Sequence, residues 1–234
     1  MADAPAELTT LLSGLLFETV TLIEPSELTD DERMFVPDWW FEAVGLPAKD
    51  GLERALAAWQ SIMPEALPSF HAMLREHGIG VFMGRSDSVN KPLLAYAAAP
   101  PIGEPLCWYG FPPTPELRHP TLDLSHLPTG PRNFYTQLHD GFKLAFAFHN
   151  GFPRSSDLSA VGDDLGIDSA EIMRSTAAPD LSRLIALFFD FGASAVCVEL
   201  GEEGDGWIMS DSQLQPADDL WTTIDRWMMS LIEP

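Results

Sequence analysis

Apolar residues fall at helical spacing in several stretches of this chain, and alternate or run together in the segments between them. Leu8, Leu11, Leu12, Leu15 and Leu16 predict a first helix over Ala6 to Phe17, with Asp3 and Glu7 at the end where the helix dipole favours negative charge. The acidic, Pro-punctuated segment from Glu24 to Pro37 reads as a loop leading into Trp39, Trp40 and Phe41, a cluster expected to dock on the core. A second helix follows Asp50, its expected cap, with Leu52, Leu56 and Trp59 turned inward. A third, from Glu65 to His77, is expected to stop in a left-handed turn at Gly78. Ile79 to Met83, Pro92 to Ala98 and Leu106 to Phe111 then read as strands.

Seven prolines between Ala99 and Pro120, three of them in Phe111-Pro-Pro-Thr-Pro, stiffen the chain and remove backbone donors. They place a boundary near Phe111, dividing an α/β lobe of unassigned type (1–111) from a second unit (112–234), unless the two form one continuous globule. Beyond it, Pro131 suits the first turn of a helix ending at Gly141, and Lys143 to His149 alternates as a strand does. Leu184 to Phe191 and Ala193 to Leu200, joined at Gly192, are apolar enough to be a buried strand pair. Glu202 to Gly206 turns into a further strand at Trp207, and a closing helix capped by Asp218 or Asp219 aligns Leu220, Ile224, Trp227, Met228 and Leu231 against a sheet.

Charge narrows the function more than any motif. Against 35 Asp and Glu stand 13 Lys and Arg, a formal charge of -22. Eight carboxylates precede the first basic residue, Arg33, and nine more lie between Arg183 and Arg226 without a Lys or Arg among them. Such a field repels phosphate polymers and speeds encounters with basic partners by roughly 10- to 1000-fold. The cations that would neutralise phosphates are missing, so neither DNA nor RNA is an expected partner. A solvated face that serves solubility or salt adaptation is the other explanation of the same composition. The apolar runs are short of the ~20 residues of a membrane helix, and the N-terminus lacks the basic segment of a secretory signal. Cys107 and Cys197 sit in apolar strings and are expected as reduced, buried thiols, which points to the cytoplasm.

The motifs that would carry chemistry fail on spacing or context. Gly78-Ile-Gly80-Val-Phe-Met-Gly84 has three residues between its second and third glycines where a dinucleotide fingerprint has two, and a helix precedes it. Ser194 lacks the final glycine of a nucleophile elbow. The six histidines show no i,i+4 pair, so neither metal nor cofactor is expected. His139-Asp140 is the one tempting acid–base pair, with a helix-terminal role as its structural alternative. Glu199, Glu202, Glu203 and Asp205 miss the oxygen spacing of a calcium loop and read as a solvated hairpin tip or as an acidic contact patch joined by Asp211, Asp218 and Asp219.

Leu127-Pro128, the helix carrying Phe134-Tyr135, its end at His139-Asp-Gly141-Phe142, the strands Leu184 to Leu200 and the closing helix from Leu220 resemble the SUKH superfamily of bacterial immunity proteins over about half the chain. The family's usual Asn-Gly stands here as Asp140-Gly141. The resemblance implies an α+β fold, helices against a mixed sheet, with residues 1–111 as an extension. It implies no catalytic centre, and a surface that occludes one cognate toxin encoded nearby. The acid excess independently favours a basic toxin. The expected contact residues are Glu199, Glu202, Glu203, Asp205 and Asp211, with Asp163 and Asp164 beside them, and Trp207 or Trp39 as an aromatic anchor. A scaffold or regulatory adaptor of the same fold and an enzyme of unrecognised type are the alternatives.

Overall fold

The computed structural model describes residues 10, 20–101, 105–145, 150–164, 173–174, 179–190, 194–201, 204, 206–210, 213–230 and 232. The expected helix over Ala6 to Phe17 lies outside them apart from Thr10, which is helical. The architecture is α+β. Eleven strands form one mixed sheet: β1 (Val20–Leu22), β2 (Gly78–Ser86), β3 (Lys91–Ala98), β4 (Leu106–Phe111), β5 (Asp140–Leu144), β6 (Gly151–Phe152), β7 (Met173–Arg174), β8 (Leu184–Phe189), β9 (Ala195–Glu199), β10 (Trp207–Ser210) and β11 (Gln213–Pro216). Their spatial order follows the chain except that β7 lies outside β11; that pair is parallel and every other neighbour antiparallel.

Period-two alternation explains why the strands read as they do. On β3, Leu94, Tyr96 and Ala98 enter the main core while Leu93, Ala95 and Ala97 enter a second cluster on the other face with Cys107, Tyr109 and Phe111. Val196 and Val198 of β9 likewise join the main core, and Ala195 and Cys197 a third cluster with Met209 and Leu214. Strands buried on both faces lose the polar alternation and become near-continuous apolar runs.

The helices supply the rest of the main core. They are α1 (Asp30–Phe35), α2 (Asp38–Val44), α3 (Ala48–Ile62), α4 (Pro68–His77), α5 (Thr129–Asn133, continuing as a π turn over Phe134–Leu138), α6 (Val161–Asp164) and α7 (Leu220–Met229). Trp40, Leu52, Leu56 and Trp59 are buried where the hydrophobic stripe predicts. The segment expected as a loop carries α1, because Thr29 and Glu32 form a reciprocal cap: the Thr29 hydroxyl accepts from the Glu32 N–H at 3.2 Å and Glu32 accepts from the Thr29 N–H at 2.8 Å.

Gly78 is not a left-handed cap. Its φ of -66° and ψ of 135° make it the first residue of β2, so the chain passes from helix to strand without a turn. A Cβ there would lie 2.2 Å from both the Leu74 carbonyl oxygen and Leu52 Cδ2, so the glycine is required by close approach. The α5 segment ends at Leu138 instead of Gly141, which sits in β5, and the strand expected over Lys143 to His149 is displaced to Asp140–Leu144. Positions 146–149 lie outside the described residues.

The sequence boundary near Phe111 falls on β4, which pairs with β3 on one side and with β5 on the other, Phe111 opposite Asp140. A second tie crosses the same boundary. Pro68 offers no N–H and Leu67, at φ 56°, no capping side chain, so Asp225 of α7 accepts from the Ser69 and Phe70 N–H groups, each at 2.9 Å. Among the described residues no helix is long and apolar enough to cross a membrane.

Candidate partner-binding surface

A short hydrogen-bonded chain of polar side chains crosses the aromatic interior. His139, which follows the π turn, is fully buried in a ring of Trp39, Trp40, Trp59, Tyr96 and Phe142. The Trp59 indole can only donate, and it does so to Tyr96 Oη at 3.1 Å; Tyr96 Oη in turn shares a hydrogen bond with His139 Nε2 at 2.9 Å, whose donor is set by the imidazole tautomer. Burial pushes the His139 pKa down to about 3, against the opposing effect of the Phe111 backbone. The same desolvation, with Arg75 adding to it, lowers His71 to about 4. Gly110 makes the site possible: a Cβ there would stand 2.5 Å from the His139 ring.

Asp140 faces elsewhere. It accepts the Ser155 N–H at 2.7 Å and lies 3.7 Å from the Arg154 guanidinium, itself stacked 5.1 Å over the Phe111 ring. His139 and Asp140 are thus both buried and serve different neighbours. The thiols of Cys107 and Cys197 are free and buried, and desolvation raises the latter's pKa to about 12, out of the reactive range.

The expected contact residues are distributed as follows. Glu199 stands on β9, its side chain 22% exposed and 3.8 Å from Arg183, so it is a partly buried, partly neutralised carboxylate. It lines a shallow groove of about 230 Å³ with Pro128, Pro216 and the half-buried Trp207. Glu202, Glu203, Asp205 and Asp211 lie outside the described residues, and Asp163 and Asp164 are the last two residues of α6. Asp218 is exposed, and Asp219 caps α7 by accepting from the Thr222 N–H at 2.7 Å. Trp39 is a core residue, 8% exposed, and does not serve as a surface anchor.

Six Lys or Arg residues are held in ion pairs with carboxylates among the described residues: Arg54, Arg75, Arg85, Arg118, Arg154 and Arg183. Exposed Asp30, Asp31, Asp38, Asp50, Glu65, Asp87 and Asp218 make none. The negative potential is therefore spread over both ends of the chain and much of what joins them. Among the described residues no three His, Cys, Asp or Glu side chains are grouped to hold a metal ion.

One surface feature escapes the hydrophobic pattern. Met34 and Phe35 project from α1 into solvent, 73% and 63% exposed, beside a cleft of about 730 Å³. They fall inside the segment that reads as a loop, and their exposure beside the buried Trp39 and Trp40 appears only in the fold. No family model, characterised protein or solved structure matches this chain.

Proposed function

We propose that the protein is a cytoplasmic immunity protein that binds a basic toxin domain and occludes it without chemistry of its own. The observation that carries this reading is the excess of unpaired surface carboxylates in a chain of charge -22. Six of its 13 cations are held in pairs among the described residues, and its 35 carboxylates far outnumber all of them, so the net field is directed at solvent and at whatever cation approaches. The α+β fold with its closing helix on the late strands agrees with the resemblance to the SUKH superfamily, in which proteins of this kind protect the producing cell.

The experiment is co-expression with the toxin domain encoded beside the gene. Protection of the host cell, and a complex that survives size exclusion at low salt and weakens as salt rises, is the expected result. Absence of both protection and complex, with the toxin active and the protein folded, overturns the proposal.

A further inference from the structure

We propose that the cleft between α1 and the proline segment after β4 is a docking groove for an amphipathic helix of a partner protein, apolar along one face and basic on its flanks. The inference rests on the partner-binding reading above and gives it a location.

Met34, Phe35 and Leu46 are the exposed large hydrophobic side chains of the described residues, and the first two are adjacent on one wall of the cleft. Pro92, Pro112, Pro113 and Pro115 form much of the rest of the lining. The helix that displays the pair contributes no buried residue to the core, yet it is firmly held. Its reciprocal cap at Thr29 and Glu32 fixes one end, and Arg85 grips the Glu32 carboxylate at 2.7 and 2.9 Å. An anchored turn that points two large apolar groups away from the core has the anatomy of a contact patch, since an apolar surface of that kind gains only when something covers it.

The walls also select the occupant. Proline carries no N–H, so four of the lining residues cannot donate to a strand laid along the cleft, and recognition by side-chain shape is favoured over strand addition. A helix face that offers apolar anchors to Met34, Phe35 and the prolines satisfies that condition. Charge sets its flanks. Arg118 is paired with Glu116, Arg85 with Glu32, and Arg33 is drawn onto the Pro25 carbonyl and over the Phe41 ring. Asp30 and Asp31 make no ion pair among the described residues; Lys91 is the cation that remains on the cleft. Around that rim lies the field of a chain with charge -22, to which lysine and arginine flanks are complementary.

The probe is a fluorescently labelled model peptide with leucines at helical i, i+3, i+4 and i+7 positions and lysines elsewhere, followed by anisotropy. A second peptide replaces every lysine by glutamate. The lysine peptide is expected to bind, to lose about 10-fold or more in affinity against the Met34→Ser/Phe35→Ser double variant, and to be little affected by Glu199→Lys. The glutamate peptide is expected not to bind. Because both replaced side chains are exposed, the double variant should keep the wild-type circular dichroism and melting midpoint; Phe35→Ala alone serves if it does not. Equal affinity of the lysine peptide for wild type and variant, or equal binding of the two peptides, overturns the groove. Toxin binding separates the two proposals. A toxin bound equally by wild type and double variant removes the groove and leaves the immunity reading intact. Lysine-peptide binding that depends on Met34 and Phe35, without any toxin complex, supports the groove and removes that reading.

Discussion

At the scale of single residues, burial holds the imidazoles of His139 and His71 in their neutral forms. His139 and His71, lowered to about 3 and about 4, are uncharged in the fold and protonate near 6.5 once unfolded. The unfolded chain therefore binds more protons below that pH. Stability is fully present well above pH 6.5 and falls as pH drops, by about 1 kcal/mol per pH unit for each histidine. Urea midpoints at pH 7.5, 6.5 and 5.5, a window in which most carboxylates stay ionised, should show a small loss in the first step and one about three times larger in the second. A midpoint that holds or rises from 6.5 to 5.5 would contradict the buried-histidine account. Tyr96→Phe tests the same cluster differently. It strands the Trp59 N–H and His139 Nε2 in a dry core, and should cost about 1–3 kcal/mol in a urea titration although only one oxygen is removed.

At the scale of elements, the tertiary cap on α4 is the clearest dependency. Asp225→Ala removes the acceptor of two N–H groups at a helix end that has no local cap, and should cost about 1–3 kcal/mol. Hydrogen exchange at Ser69 and Phe70 should rise with it; protection unchanged there would show that the helix end finds another partner. This is also where the sequence becomes opaque. The strands at Leu106–Phe111, Leu184–Phe189 and Trp207–Ser210 are legible because apolar runs bounded by turn residues leave little choice. Asp225 is not: an acid in an amphipathic stripe is ordinarily a solvent residue, and its partners lie 155 and 156 positions away. Nor is His139, read as a terminal cap, whose burial depends on Gly110 and a ring of aromatics from three distant segments. The helix α1 was readable in principle from Thr29-x-x-Glu32, but the proline and acid content of Glu24 to Pro37 outweighs so short a signal. The candidate surface was visible only as charge. That sequence gives the sign of the field and cannot say which carboxylates, such as Glu199 beside Arg183, are already answered within the fold.

At the scale of the whole molecule, two features matter: the halves on either side of Phe111 share a sheet and a core, and the assembled surface is strongly anionic. With β4 paired to β5, Asp225 capping α4 and Trp59 joined through Tyr96 to His139, neither half is complete alone. Tryptophan fluorescence and far-ultraviolet circular dichroism should therefore report one coincident unfolding transition; two separated transitions would show independent lobes. The charge acts against the fold, because like charges crowd on one globule, as well as for the proposed partner. Adding salt screens that repulsion, and the same salt weakens attraction to a cation. The most direct test of partner capture by charge is the stopped-flow association rate between this protein and a toxin domain found encoded beside it, the partner proposed above, measured from about 20 to about 500 mM salt. A rate that falls by about 10-fold or more across that range, with dissociation far less affected, is the predicted result. An association rate indifferent to salt would contradict it.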